Sequence, residues 1–188
     1  MRGPRPLPLL LLLWSLFVAG PAVAAVEGLD ANGPNPALAE RLKLFGQFVG
    51  NWDCEVLRYQ DNQVQRGTGE WHFGWVLDGR AVQDVFIVPA RSEGGQPREW
   101  GSSMRSFDPK TGTWFIAWLG PVQGTLQTFT ARQQGGEIVH DGVTPDGRPS
   151  RWVFSEIQPD SFRWRSLVSS DRGASWNVTQ EIVAHRRK

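Results

Sequence analysis

Charge and acid–base chemistry in this 188-residue chain centre on Asp84, in the segment "AVQDVF". The carboxylate alternates with Val82 and Phe86, so a strand would turn it toward an apolar interior. A buried carboxylate is costly unless it is paired, and Arg105 in "SSMRSF" is the candidate partner. The two residues have three interpretations: a structural ion pair in the interior, two side chains that point outward, or a polar anchor that orients the head group of a ligand.

The chain has three histidines, His72, His140 and His185, and their spacing matches no metal-binding motif. Strand alternation turns His72 and His185 outward, whereas His140 shares the face of Ile138 and is placed in the interior. We therefore expect no metal site. Asp84 and His140 remain as acid–base candidates, although the nucleophile elbow of hydrolases and the phosphate-binding glycine loop are both absent.

Tryptophan is the other residue type that could build a site, because nine of the ten tryptophans follow residue 25. Many of them alternate with other apolar residues, so they share one face of a strand. Such faces either fill a wide core or line an aromatic pocket, and the sequence leaves both interpretations open. The predicted ligand-binding residues are Trp71, Trp75, Asp84, Arg105, Trp114, Trp118, His140 and Trp164.

Strands must position these residues, because period-two runs separated by short turn segments such as "LDGR" and "TPDGRP" dominate the chain. The predicted strands are 51–60, 68–77, 80–89, 99–107, 112–119, 123–132, 137–144, 149–157, 161–169 and 175–186. Before them, Asn35 can cap a helix, Pro36 suits its first position and Gly50 ends it. The sequence thus predicts an all-β fold, an antiparallel up-and-down barrel of about ten strands with one short N-terminal helix.

The N-terminal 25 residues carry the features of a secretory signal peptide. Arg2 and Arg5 precede an apolar run from Leu7 to Val18, which is too short to span a bilayer, and small residues follow up to about residues 24–25. We expect a signal peptide at 1–25, a loose leader at 26–35 and one barrel domain at 36–188. The protein would then be exported, without a stable membrane anchor, to the periplasm or the outside of the cell.

The charge balance excludes one class of partner. Without residues 1–25 the chain has 18 basic and 19 acidic residues, so no electrostatic feature favours nucleic acid.

The segment "GNWDCEV" resembles the G-x-W that begins the first strand of lipocalins and related calycin barrels, here Gly50 and Trp52. In that family a basic residue on the last strand packs over the tryptophan and closes the barrel. The resemblance implies this role for Arg186, which shares a face with Ile182 and Ala184.

A second resemblance covers nearly the whole chain after residue 25. Segments such as "WHFGWVLDGRAVQDVF" and "RSFDPKTGTW" are similar to a family of exported bacterial domains of unknown function with lipocalin-like barrels. Haem-binding nitrobindins share a ten-stranded barrel, but their motif continues with glycines and a Tyr-Pro, where this chain has "GNWDCEVLRYQ". We therefore expect no cofactor.

Three functional hypotheses follow. The first is a barrel that binds a small apolar or aromatic molecule. The second is an enzyme of the cyclase or isomerase type that uses Asp84 or His140 as its acid or base. The third is a non-catalytic envelope protein, which would show a filled interior and an exposed apolar patch.

Overall fold

The computed structural model describes residues 26–89 and 98–188 and shows a closed barrel of ten antiparallel strands. The predicted fold class is confirmed, whereas the predicted signal peptide at 1–25 lies outside the described residues. A 3-10 turn at Pro36–Leu38 and the helix α1 at Ala39–Gly46 precede the barrel. Its strands are β1 Gly50–Gln60, β2 Gln63–Val76, β3 Ala81–Val88, β4 Glu99–Asp108, β5 Thr113–Gly120, β6 Thr125–Gln134, β7 Glu137–Val143, β8 Pro149–Gln158, β9 Ser161–Val168 and β10 Asn177–Arg186.

Every strand pairs with its neighbour in sequence, and β10 pairs with β1, so that the sheet has no open edge. The strand predicted at 68–77 begins earlier, at Gln63. The additional residues are mostly exposed, and all but Val64 and Gly67 are polar, so they carry no alternation of hydrophobicity. A tight turn sets their pairing, because Asp61 and Asn62 both have positive φ angles, 49° and 60°, as a two-residue hairpin turn requires.

The helix α1 closes one end of the barrel. Asn35 caps the 3-10 turn before α1, since its side chain accepts a hydrogen bond of 3.1 Å from the Ala37 N–H. Leu42 and Phe45 of α1, with Phe48 just after it, are almost completely buried inside the barrel. We name this end the plugged end; the opposite end, where β1, β3, β5, β7 and β9 end, is the mouth.

Residues 26–35 run along the plugged end. Ala31 N–H donates to the Trp75 carbonyl, and Leu77 N–H donates to the Gly28 carbonyl, each at 2.9 Å. Asn35 N–H donates to the Gly79 carbonyl at the same distance. The sequence suggested a loose leader because it is rich in Gly, Pro and Asn, but these backbone hydrogen bonds attach it to the β2–β3 turn.

The structure contains the Trp52–Arg186 contact that the calycin resemblance implied. The two residues are paired across β1 and β10, and the Arg186 guanidinium carbon lies 4.1 Å from the centroid of the Trp52 ring. Arg186 also donates three hydrogen bonds of 2.8 Å, to the carbonyls of Gln47, Val49 and Pro159. One side chain therefore joins the end of α1, the first strand and the β8–β9 turn.

We expect the Arg186→Ala substitution to lower the free energy of unfolding by about 2–3 kcal/mol, because a cation–π contact and charge-assisted hydrogen bonds are lost together. Urea unfolding measures this loss. The control is Arg187→Ala, since Arg187 pairs with Asp53 at the exposed surface and should contribute much less than Arg186. Equal losses for the two variants would contradict the closing role of Arg186.

Candidate functional site

The barrel interior is filled at the plugged end and open at the mouth. Near α1, large side chains are fully buried and in contact, among them Phe45, Phe48, Trp52, Phe154 and Phe162. Toward the mouth, a cavity of about 450 Å³ extends between the strands. Its volume is within the range of small-molecule sites in proteins.

Aromatic side chains dominate the inner wall of this cavity. Trp152 lies centrally, with ring-centroid distances of 5.8 Å to Trp118 and 5.4 Å to Trp164. Trp71 meets Trp164 edge to face at 5.9 Å, and Phe86 also lines the wall. Three of the predicted tryptophans, Trp71, Trp118 and Trp164, are thus brought together. Trp152 was not among the predicted site residues, although its alternation with Phe154 was a signal that could have identified it.

The position of Trp118 depends on a glycine in the neighbouring strand. A Cβ atom placed on Gly101 would lie 1.9 Å from the Trp118 ring. Any larger residue at 101 would therefore displace the indole. The sequence could not reveal this packing, because it joins two residues on different strands.

The polar part of the cavity wall is neutral. It consists of hydroxyl and amide side chains: Ser103, Gln123, Thr125, Gln127, Thr144, Ser150, Ser166 and Gln180. The charged residues on the wall are Arg58 and Glu99, which form an ion pair of 2.5 Å close to the mouth. The cavity therefore carries balanced charge.

Asp84 and Arg105 form a fully buried ion pair, but they do not line the cavity. Arg105 Nη1 bonds Asp84 Oδ2, and Asp84 Oδ1 accepts a hydrogen bond of 3.0 Å from the Ser103 N–H. The guanidinium lies over the rings of Phe45 at 5.3 Å and Phe73 at 5.5 Å. The prediction that this pair forms the polar end of the pocket is therefore wrong. Alternation gave the correct face of each strand but not the position along the barrel axis. The pair lies deeper than the cavity, below its floor and toward the plugged end.

His140 is also buried below the cavity and does not line it. Its ring lies 5.4 Å from Phe154 and 5.5 Å from Phe45, and its Nδ1 is 3.3 Å from the Trp152 carbonyl oxygen. Burial, together with the charge of Arg105, lowers the pKa of His140 to about 3. The imidazole is therefore neutral near pH 7 and has no contact with the space in which a ligand could lie.

Trp75 and Trp114 lie at the plugged end. Trp114 packs edge to face on Phe45 at 4.7 Å, and the Trp75 ring lies over Gly46, where a Cβ would be 2.6 Å from it. Both tryptophans line a groove between α1 and the barrel instead of the cavity. Their predicted place in the same pocket as Trp118 is therefore wrong, since α1 separates them from the mouth.

Aliphatic side chains are exposed near the mouth. Leu119 and Leu126 pair across β5 and β6 on the outer surface and are 53% and 66% exposed. Val122 in the connecting turn and Val143 at the end of β7 are also exposed. These residues form a small apolar patch beside the cavity entrance.

Two further observations concern residues 26–89 and 98–188 only. No group of three or more His, Cys, Asp and Glu side chains could hold a metal ion there. No helix in the same residues is both long and apolar enough to cross a bilayer.

Comparisons with known proteins identify the fold. No family model and no curated protein matches the chain. The crystal structure of Rv2717c from M. tuberculosis matches with a TM-score of 0.56 and 13% identity, over 80% of this chain and 99% of that chain. The S-type phycobiliprotein lyase CPES from Guillardia theta matches with a TM-score of 0.53 and 12% identity, over 78% of this chain and 92% of that chain. At this level of identity the two likenesses support the fold alone.

Proposed function

We propose that this protein is exported and binds a small apolar or aromatic molecule in the cavity at the mouth of its barrel. The observation that carries the proposal is an open cavity of about 450 Å³ with five tryptophans among its lining residues and no unbalanced charge among them. Such a site buries most of a ligand against apolar surface, while a few polar groups fix its orientation. Export rests on the signal-like sequence of residues 1–25.

The two acid–base candidates of the enzyme hypothesis, Asp84 and His140, are not placed to act on a ligand in the cavity. Asp84 is held by Arg105 and Ser103, and His140 is held neutral among aromatic rings. Neither side chain reaches the cavity, and a general acid or base must lie within hydrogen-bond reach of the proton it transfers. The phycobiliprotein lyase shares the barrel, but at 12% identity its activity is not carried over to this chain.

The envelope-interaction hypothesis required a filled interior and an exposed apolar patch. The patch beside the mouth is present, at Leu119, Leu126 and their neighbours. The interior, however, is open. The two features together are better explained by a carrier with an apolar surface beside the entrance for an apolar ligand.

Fluorescence titration with N-phenyl-1-naphthylamine, an uncharged aromatic probe, tests the proposal. We expect saturable binding with a dissociation constant near 1 μM, about −8 kcal/mol. Trp118→Ala should weaken this binding about tenfold, because part of an aromatic wall is removed. The measurement is made with folded protein, whose near-UV circular dichroism is recorded for each variant.

The matched control is Trp75→Ala. Like Trp118, Trp75 is a partly buried tryptophan, but it lies over α1 at the opposite end of the barrel. Its removal should leave the affinity for the probe within about twofold, because it does not touch the cavity. Absence of saturable binding, or equal effects of the two substitutions, would contradict binding in the cavity.

A further inference from the structure

The indole of Trp118 extends across the neighbouring strand and lies over Gly101. Trp118 on β5 pairs with Ser103 on β4, and its ring reaches from there toward the mouth. A Cβ atom on Gly101 would lie 1.9 Å from Cη2, 2.2 Å from Cζ2 and 2.8 Å from Cζ3 of this ring. The outer edge of the indole therefore occupies the space that any side chain at position 101 would need.

Trp118 has more room to move than the inner tryptophans of the cavity wall. It is half-buried, whereas Trp71, Trp152 and Trp164 are only 4%, 7% and 6% exposed. The backbone of β4 lies behind the indole, so a ring displaced from Gly101 would move into the cavity or across its entrance. Either position removes space from a ligand.

The volume of the cavity indicates which ligands depend on that space. A dry cavity of about 150 Å³ is sufficient for one benzene ring, so this site has room for roughly two or three rings. The volume of about 450 Å³ exists with the Trp118 ring against Gly101. A displaced ring would consequently exclude larger ligands before smaller ones.

We propose that Gly101 is a positioning residue that sets the ligand size of the cavity through Trp118. Because residue 101 has no side chain, the indole lies against β4 and the cavity admits an uncharged ligand of more than one ring system. The inference rests on the proposed function and adds the size class of its ligand.

A double-mutant cycle with N-phenyl-1-naphthylamine and the full chain tests the coupling of the two residues. Gly101→Ala should weaken probe binding at least about tenfold, because the methyl group moves the indole into the space of the ligand. Trp118→Phe keeps an aromatic ring but removes the outer edge that would collide with this methyl group. In the Trp118→Phe background, Gly101→Ala should therefore change the affinity less than about twofold.

A smaller ligand separates size selection from a general loss of structure. The compound 1-naphthylamine is the same probe without its phenyl ring, and titration calorimetry measures its binding. Gly101→Ala should keep the affinity for 1-naphthylamine within about threefold of wild type, because a smaller ligand needs less of the cavity. A damaged site would instead bind both ligands more weakly to the same extent.

Gly74→Ala is the matched control, because Gly74 also lies within a strand but a Cβ atom there would meet nothing within 4 Å. It should change the affinity for either ligand less than about twofold. Near-UV circular dichroism establishes that each variant is folded. If Gly101→Ala alone does not fold, Gly101→Ala/Trp118→Phe is compared with Trp118→Phe. Equal probe affinities then support action through the indole, and unequal affinities contradict it.

The outcomes separate this inference from the proposed function. Unchanged probe affinity in folded Gly101→Ala, or an equal loss in both backgrounds, would overturn the inference alone. An equal loss for the probe and for 1-naphthylamine would overturn the size selection. Absence of saturable probe binding to the wild-type protein would overturn the proposed function and the inference together.

Discussion

The Asp84→Asn substitution should lower the free energy of unfolding by about 3–5 kcal/mol, the typical cost of removing one partner from a buried ion pair. Asp84 and Arg105 are both completely buried. The asparagine can still accept the hydrogen bond from the Ser103 N–H, but it leaves the Arg105 charge without a counter-charge among aromatic rings. Chemical denaturation of the variant, compared with wild type at the same pH, measures the effect.

Two comparisons make this result specific. Asp146→Asn breaks an ion pair with Arg148 in which both side chains are more than half exposed, and it should cost only a small part of the loss for Asp84→Asn. The double variant Asp84→Leu/Arg105→Met replaces the buried pair by apolar side chains and should recover most of the stability. A loss below about 1 kcal/mol for Asp84→Asn would show that the pair is solvated.

The same variant also tests whether the Asp84 carboxylate contacts a ligand in the cavity. Because Asp84 lies below the cavity floor, folded Asp84→Asn protein should bind N-phenyl-1-naphthylamine within a few-fold of wild type. A large loss of affinity in folded protein would mean that the carboxylate contacts the ligand after all.

Much of the fold could be predicted from the sequence, because each strand carries its own alternation. Trp71, Phe73 and Trp75, for example, share one face of β2, as their spacing indicates. The contact of Arg186 with Trp52, which joins the last strand to the first, was implied by the family resemblance, because alternation alone could not supply this pairing. The exposed beginning of β2 at Gln63 was missed, because a mostly exposed segment carries no such pattern.

The depth of a side chain along the barrel could not be predicted, and this explains the errors at the site. Alternation states whether a residue points inward but not which end of the barrel it faces. Trp75 and Trp118 both point inward, yet α1 lies against the first and the cavity against the second. Only the helix, which closes one end with Phe45 and Phe48, divides the interior into a filled part and an open part.

His140 should make the stability of the protein strongly dependent on pH in mildly acidic solution. Burial and the charge of Arg105 lower its pKa to about 3 in the folded state, whereas an unfolded histidine has a pKa near 6.5. The unfolded chain therefore binds one proton more between these two values. The contribution of the neutral histidine is complete above about pH 6.5 and is lost as the pH falls toward about 3, at roughly 1.4 kcal/mol per pH unit.

Between pH 7.5 and 4.5 the wild-type protein should consequently lose about 2.5 kcal/mol more stability than the His140→Phe variant. Phenylalanine is close to histidine in shape and can pack among the rings of Phe45 and Phe154, and it gives up only a long hydrogen bond of 3.3 Å to the Trp152 carbonyl. The carboxylates titrate in both proteins, so the difference between their urea-unfolding free energies at each pH isolates the histidine. Parallel curves from pH 7.5 to 4.5 would show that His140 takes up its proton inside the folded barrel, and hence that water reaches the layer below the cavity floor.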